Sequence, residues 1–523
     1  MYTNSILYHQ LLKENTKEEV DDIFTIELQK RNINDYKNFI KNFKREYNEE
    51  TIVKYVDLVS YFQLNIQNAF SEYILQKYIL NLKYLDLICN FHCIRYTIEE
   101  LCKNKNSLTD EQLLYISTYI DILELNISDR SKITDNGLTK CVNLQKLDMG
   151  FNHNVIDFKI FEKSLIDLDI THCYKINDET IKNCTNLQKL SVSNVKNVTT
   201  CNPFANTLIE LEAGGDSGIN DEGLKECINL QKLLAIDNKK ITNCNIFANT
   251  LIKLEASDCG INDEGLKNCI NLKILDACNN KNITTCKPFA NSLIKLNASF
   301  YCGINDEGLK NCINIQILNA DDNKKITTCQ SFAESIIELC ASNNCGIDDK
   351  GLKNCINIQI LNADGNKKIT TCQPFAESLI ELNACNNCGI GDKGLKNCIN
   401  IRTLEACDNP NITTCEPFAH NLIDLDASRS MPLYYEKIDE EFGLCRFEPC
   451  GISDKGLQKC INIKRLIANH NTNITTCKPF SKSLIHLEAA GAMCGINDQG
   501  LKECVKLQIL DAVYNLKITT KVN

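Results

Sequence analysis

The sequence predicts an α/β solenoid, a horseshoe in which parallel strands line the concave face and short helices cover the outside. The first observation is a phrase that recurs nine times after Ile133 and reads, in one copy, from Gly260 to Cys269. The cysteines that close the phrase are Cys141, Cys184, Cys227, Cys269, Cys312, Cys355, Cys398, Cys460 and Cys504. Seven of their eight steps are 42 to 44 residues, and the remaining step is 62. This period indicates stacked units that cannot bury their apolar faces alone.

The strands are marked by the apolar pattern L-x-x-L-x-L, which occurs twice in each long period. Its first anchors recur every 21 or 22 residues from Leu144 to Leu422. The true unit is therefore half the long period, with one strand, a turn and a helical return. Because side chains alternate between the two faces of a strand, the residues that flank the second anchor should line the concave face.

Two types of turn alternate after the strands. The first type places an asparagine three residues after the last strand position, at Asn152, Asn238, Asn280, Asn323, Asn366, Asn409, Asn471 and Asn515. An amide both donates and accepts, so stacked asparagines could satisfy the backbone groups where each strand bends. The second type carries cysteine near that place, as at Cys302. Its helical segment begins Thr-Thr-Cys, where a threonine hydroxyl could cap the first free N–H groups.

These repeats resemble the cysteine-containing leucine-rich repeat family, whose pattern is I-x-D-x-G-L-x-x-C-x-N-L-x-x-L-x-A, from about Ile133 to Thr520. Their composition is also similar to that of repeat proteins from amoebae and their large DNA viruses. The best-known family members are substrate-recognition subunits of ubiquitin ligases, with a helical F-box ahead of the solenoid. The resemblance implies a non-enzymatic protein-binding solenoid, as the recognition subunit of an SCF-type ligase. The alternative is a stand-alone binding or host-interaction protein whose N-terminal helices only cap the repeats.

The predicted domains are a helical N-terminal module at 1–75 and a solenoid at 76–523, with an insert at about 429–449. The N-terminal region has apolar residues at helical spacing but no repeat. Ile23, Phe24 and Leu28 fit the F-box pattern loosely, and by that resemblance they would bind an SKP-type adaptor. The Leu-Pro opening of an F-box is absent, and the chain contains no tryptophan. A cap that shields the first repeat is the alternative.

Acidic residues dominate the predicted concave face. They include Asp167, Asp169, Glu210, Glu212, Glu255, Asp276, Glu338, Glu381, Glu405, Asp424 and Asp426. Lysines concentrate in the helical and turn phrases, so the net charge of −10 is expected to divide into an acidic inner band and a more basic outer side. An acidic band favours a protein partner with a basic surface and disfavours nucleic acid. Alternatively, the charges only keep the sheet soluble.

The insert breaks the register of the repeats. The anchor step from Leu422 to Ile463 is 41 residues, which exceeds the usual 22 by 19. The excess carries the aromatic residues Tyr434, Tyr435, Phe442 and Phe447. Aromatic loops are favoured in recognition, so the insert is a second predicted partner-binding element. A loop that packs on its own edge is the alternative.

Cysteine is abundant, with 31 residues, and 23 of them occupy repeat positions. A buried thiol packs as a small apolar group, so these positions need no disulfide. The N-terminus has no basic run or apolar stretch typical of export, and no membrane-spanning stretch is present, so the expected location is the cytoplasm or nucleus. Cys385 and Cys388 form an isolated C-x-x-C, and the histidines are scattered. The sequence therefore predicts no metal, no cofactor and no enzyme.

Overall fold

The computed structural model describes residues 108–118, 121–129, 132–430 and 450–519. The chain divides into two compact units, Met1–Leu230 and Gln231–Asn523. The predicted helical module at 1–75, the predicted start of the solenoid and all but the first two residues of the insert lie outside the described residues. Those domain boundaries therefore stay predictions.

The first unit contains five described parallel strands of three residues each. They are β1 (Glu124–Asn126), β2 (Lys146–Asp148), β3 (Asp167–Asp169), β4 (Lys189–Ser191) and β5 (Glu210–Glu212). Each pairs with the next in chain order, with the central leucines opposite one another. The helical segments are α1 (Asp110–Ile116), α2 (Asp135–Leu138), α3 (Asp178–Ile181), and 3-10 turns at Asn202–Phe204 and Glu222–Leu224.

The second unit continues the same plan through thirteen described strands. They are β6 (Lys232–Leu234), β7 (Lys253–Glu255), β8 (Ile274–Asp276), β9 (Lys295–Asn297), β10 (Ile317–Asn319), β11 (Glu338–Cys340), β12 (Ile360–Asn362), β13 (Glu381–Asn383), β14 (Thr403–Glu405), β15 (Asp424–Asp426), β16 (Arg465–Ile467), β17 (His486–Glu488) and β18 (Ile509–Asp511). Neighbours in chain order pair in parallel and in register. The predicted leucine-rich repeat solenoid is confirmed.

Short helical segments return the chain between the strands of the second unit. The α-helices are α4 (Asp263–Leu266), α5 (Asp306–Leu309) and α6 (Asp498–Leu501). The 3-10 turns are Asn245–Phe247, Lys287–Phe289, Gln330–Phe332, Gln373–Phe375, Glu416–Phe418, Asp454–Leu457 and Lys478–Phe480. The core lies between these segments and the sheet. Leu318 of β10, Ala320 directly after it and Phe332 of the following 3-10 turn are at most 1% exposed.

Seven of the eight asparagines of the first turn type are seen to join their short unit to the preceding one. The Asn366 amide nitrogen donates to the carbonyl oxygens of Ala341 (2.7 Å) and Ile347 (3.4 Å). Its oxygen accepts from the Lys368 N–H at 2.9 Å. The same donation to two earlier carbonyls occurs at Asn152, Asn280, Asn323, Asn409, Asn471 and Asn515. The predicted asparagine ladder is thus confirmed.

An aspartate–threonine contact forms a second joint on the helical side. The Asp306 carboxylate accepts from the Thr327 N–H (2.8 Å) and hydroxyl (2.6 Å), and from the Thr328 N–H (3.3 Å). The Thr328 hydroxyl in turn accepts from the N–H of Gln330, which confirms the predicted threonine cap. Equivalent aspartates, which sequence reasoning left without a role, are Asp178, Asp263, Asp349, Asp392, Asp454 and Asp498.

A glycine four residues before the closing cysteine, present in eight of the nine phrases, allows neighbouring repeats to approach closely. The Gly308 carbonyl accepts from the Cys286 N–H at 3.0 Å. A Cβ added at Gly308 would lie against the Thr284 carbonyl oxygen, closer than the 3.0 Å that real Cβ atoms keep. Glycine is therefore required there because the backbone of the preceding repeat occupies the space of a side chain.

Candidate functional site

The candidate site is the solvent side of the sheet, which we call the sheet face. It consists of the first and last residue of each strand and the second residue beyond the strand's end. The central leucine of each strand points the other way and is buried, as for Leu339 and Leu382. All eleven predicted acidic residues occupy sheet-face positions in β3, β5, β7, β8, β11, β13, β14 and β15. Their role in partner binding stays a prediction.

The predicted separation of charge between the two sides is wrong for part of the sheet. Basic residues also occupy the sheet face, at Lys146, Lys189, Lys232, Lys253, Lys295 and Arg465. Lys146 lies 3.5 Å from Asp167, Lys189 lies 3.3 Å from Glu210, and Lys253 lies 2.8 Å from Glu255. The first residue of the strand alternates between acid and base from β1 to β6. The predicted carboxylates with a lysine partner are Asp167, Glu210, Glu212 and Glu255.

A different situation holds on β10 to β15, which carry what we call the acidic patch. Its members are Asp321, Glu338, Asp364, Glu381, Glu405, Asp424 and Asp426. No lysine or arginine occupies a sheet-face position on these six strands. Asp321 and Asp364 were not among the predicted site residues, because they follow the strand and do not flank its central leucine. The repeated string Asn-Ala-Asp was the signal that could have found them.

Neutral amides and backbone groups supply several contacts to the patch. Asn383 donates to Glu405 at 2.7 Å, and Asn386 donates to Asp364 at 2.7 Å. A cation reaches the patch at one end, where Arg465 of β16 lies 3.2 Å from Asp424 and shares its guanidinium with Glu488. These amides orient the carboxylates without neutralising them, so the patch keeps a concentrated negative charge.

The carboxylates of the patch also raise one another's proton affinity. Burial raises the pKa of Glu405, and the nearby charges of Asp426 and Asp424 raise it further. Burial likewise raises the pKa of Asp426, against hydrogen bonds from Ser428 that lower it. A carboxylate whose pKa is raised by its neighbours is stabilised when a positive group approaches.

A depression of about 430 Å³ lies on the sheet face over β7 to β11 and meets the patch at Glu338. Its lining includes Lys253, Ile274, Lys295 and Ile317. Lys253 is paired with Glu255, whereas Lys295 is exposed and forms no ion pair with any residue of the described ranges. Glu255 and Asp276 also line the depression, so the sheet face changes from a surface of mixed charge to an acidic one between β9 and β11.

The two cysteines of the C-x-x-C motif do not face one another. The Cys388 thiol donates to the Asn366 carbonyl at 3.5 Å, whereas the Cys385 thiol is hydrogen-bonded to that of Cys407. Within 108–118, 121–129, 132–430 and 450–519, no cluster of three or more histidine, cysteine or acidic side chains could hold a metal ion.

The other predicted site residues lie outside the described residues. They are Tyr434, Tyr435, Phe442 and Phe447 of the insert, and Ile23, Phe24 and Leu28 of the N-terminal module. Among the helices that the structure describes, none combines the length and apolar content needed to cross a membrane; α1, with seven residues, is the longest of them.

Comparison with known proteins found structural likenesses but no sequence family. No protein-family model matches the chain, and no curated protein matches it. The chain is similar to an internalin, InlF, from Listeria monocytogenes, with 19% identity over 63% of this chain and 92% of that one, and a TM-score of 0.40. It is similar to the functional domain of Listeria monocytogenes InlJ, which includes a cysteine ladder. The identity is 15% over 73% of this chain and 74% of that one, and the TM-score is 0.36. It is also similar to TLR13 in its complex with ssRNA13, with 16% identity over 76% of this chain and 71% of that one, and a TM-score of 0.39.

Proposed function

We propose that the chain is a non-enzymatic binding protein that holds a basic segment of a partner protein against the acidic patch. The observation that carries this proposal is the run of seven carboxylates over β10 to β15 with no basic residue at the sheet-face positions of those strands. A surface of one charge sign attracts and orients a partner of the opposite sign. We assign no catalytic step to the chain.

The size of the patch suits a peptide segment or the face of a helix. Six strands at about 4.8 Å spacing span roughly 24 Å, which corresponds to about four turns of an α-helix. At the β9 side, Lys295 is available to an acidic group, and Ile317 offers an apolar contact. The sheet face therefore favours a partner segment with three parts in order: basic residues over the acidic patch, then an apolar residue near Ile317, then an acidic residue near Lys295.

Reversing two charges of the patch should weaken binding of a short oligolysine peptide. We expect Glu338→Lys with Glu381→Lys to raise the Kd at least about ten-fold, because two attractive charges become repulsive. Lysine already occupies the same strand position in β7 and β9, so the variant should keep the fold. Fluorescence anisotropy of a labelled peptide, titrated with the full chain at several salt concentrations, measures the effect.

The matched control is Glu264→Lys with Glu307→Lys, which changes the net charge equally but on the helical side. Lys350 and Lys393 occupy the equivalent positions of later repeats, so this variant should also fold. Equal weakening by both variants would contradict binding at the patch.

Lowering the pH should weaken binding of the oligolysine peptide to the wild-type chain. The raised pKa values of Glu405 and Asp426 make these groups neutral at a higher pH than ordinary carboxylates, so the weakening should begin at a correspondingly higher pH.

The finer proposal is that the chain presents this partner to an SCF-type ubiquitin ligase. It is supported by the loose F-box pattern at Ile23, Phe24 and Leu28. If it is correct, an SKP-type adaptor should co-precipitate with the full chain, and Ile23→Asp with Phe24→Asp should abolish that capture while oligolysine binding is kept. Without adaptor capture by the wild-type chain, the stand-alone binding protein remains.

A further inference from the structure

Two cysteines lie side by side at the ends of neighbouring strands within the acidic patch. The register of β13 and β14 places Asn383 opposite Glu405, and the Asn386 N–H donates to the Cys407 carbonyl at 3.0 Å. Cys385 and Cys407 therefore occupy equivalent positions two residues past their strands. Paired strands lie about 4.8 Å apart, which falls within the Cα separation of roughly 4.4–6.8 Å that disulfides span.

The two sulfurs are in contact and differ in exposure. The Cys385 and Cys407 thiols are hydrogen-bonded to one another. Cys385 is 4% exposed, whereas Cys407 is only partly buried. This arrangement gives one thiol that solvent reaches and a second, buried thiol directly behind it.

Other cysteines of the chain provide internal comparisons. Five thiol pairs on the helical side are hydrogen-bonded but completely buried: Cys201 with Cys227, Cys286 with Cys312, Cys329 with Cys355, Cys372 with Cys398, and Cys415 with Cys460. Cys278 is partly buried at the same position after β8, but serines, Ser257 and Ser299, follow the neighbouring strands. Cys477 and Cys504 also join a buried thiol to a partly buried one, but on the helical side. On the sheet face of the described residues, this combination is found at Cys385 and Cys407.

We propose that Cys385 and Cys407 form a modification site that closes to a disulfide by exchange with a low-molecular-weight disulfide such as glutathione disulfide. The Cys407 thiolate attacks one sulfur of the reagent, which breaks its S–S bond and releases one glutathione thiolate. The Cys385 thiolate then attacks the Cys407 sulfur of the mixed disulfide and releases the second. The two protein thiols lose two electrons and two protons, and the reagent gains both, so that two glutathione thiols leave.

The chemical environment sets the pH dependence of the second step. The hydrogen bond to Cys407 and burial raise the pKa of Cys385, and the charge of Asp426 raises it further. Because the thiolate is the attacking species, closure should become faster as the pH rises. The closed disulfide would link β13 and β14 covalently inside the acidic patch.

Peptide mapping by mass spectrometry tests the site. The full chain is incubated with glutathione disulfide, free thiols are blocked with N-ethylmaleimide, and the digest is examined without reduction. We expect a linked Cys385–Cys407 peptide, a glutathione adduct retained on Cys278, and unmodified buried pairs. In Cys385→Ser, Cys407 should keep a stable glutathione adduct, because the variant lacks the thiol that attacks the mixed disulfide and releases glutathione.

Serine naturally follows other strands at this position, at Ser257, Ser299 and Ser428, so the variant should fold like the wild type, which circular dichroism checks. A wild-type chain in which Cys407 keeps its glutathione adduct as long as in Cys385→Ser would overturn the proposal. So would a Cys407 that stays unmodified while Cys278 reacts. Both outcomes are readable whether or not the acidic patch binds a basic partner.

Discussion

Gly308→Ala is expected to lower the free energy of unfolding by roughly 3 kcal/mol, at the upper end of the range for overpacked sites. The added Cβ would meet the Thr284 carbonyl oxygen and crowd the Thr285 Cα. Both atoms belong to the backbone of the preceding repeat, so no side-chain rotation can relieve the overlap. The repeats must separate, and this also lengthens the bond from the Cys286 N–H to the Gly308 carbonyl.

Urea unfolding followed by circular dichroism measures this loss. The control is Gly150→Ala, because the nearest atom to its added Cβ lies at an ordinary contact distance of 3.6 Å. That variant should stay within about 1 kcal/mol of the wild type. Gly150 lies in the turn after β2, whereas Gly308 lies in α5. A Gly308→Ala chain as stable as the control would show that the close approach between repeats is not required.

Asn366→Ala is expected to cost a similar amount, about 3 kcal/mol, through lost hydrogen bonds. The side chain is completely buried, and it satisfies the Ala341 and Ile347 carbonyls and the Lys368 N–H. Each buried backbone group left without a partner costs about 1–3 kcal/mol, partly offset where water enters. The loss should be local at first, because each repeat of a solenoid contacts only its neighbours.

Hydrogen exchange would locate the effect at the Lys368 amide, which donates to the removed side chain, and at the Gly389 amide, which donates to the Asn366 backbone carbonyl at 3.0 Å. Urea unfolding would measure its size. Asn291→Ala is the matched control, since that asparagine is exposed on the helical side. It should leave both measurements nearly unchanged. Equal loss in the two variants would mean that the effect comes from helical propensity and solvation, and not from the asparagine ladder.

Periodicity explains why so much of the fold could be predicted. Leucine spacing marks the strands, and a polar residue such as Asn366 at a fixed place after a buried strand has to satisfy backbone groups. The Asp306–Thr327 joint could not be read in this way, because its two partners are 21 residues apart and meet only when consecutive units stack. The pairing of Lys146 with Asp167 was missed for the same reason.

The C-x-x-C motif shows a different limit of sequence reasoning. Cys385 and Cys388 are three residues apart, and this isolated spacing gave no sign that Cys385 has a partner elsewhere in the chain. Asn386 and Asn387 both adopt positive φ, at 53° and 58°, and this left-handed turn leads the chain away from the strand. Cys385 instead meets Cys407 of the next strand, 22 residues further along the chain. The spacing of the leucine anchors implies the register of neighbouring strands. That register could have predicted that Cys385 and Cys407 lie side by side.

The asparagine ladder also has a consequence for how such a gene can change. Asn471 reaches back to the Ala427 carbonyl across 44 residues, whereas Asn409 reaches Ala384 across 25, and the contact is 2.7 Å in both cases. The joint thus tolerates extra chain between its two partners. Because every joint uses the same groups, unequal recombination between repeats could delete or duplicate one whole long repeat and still produce matching ends. The length of this protein can therefore vary in steps during evolution without new interfaces having to arise.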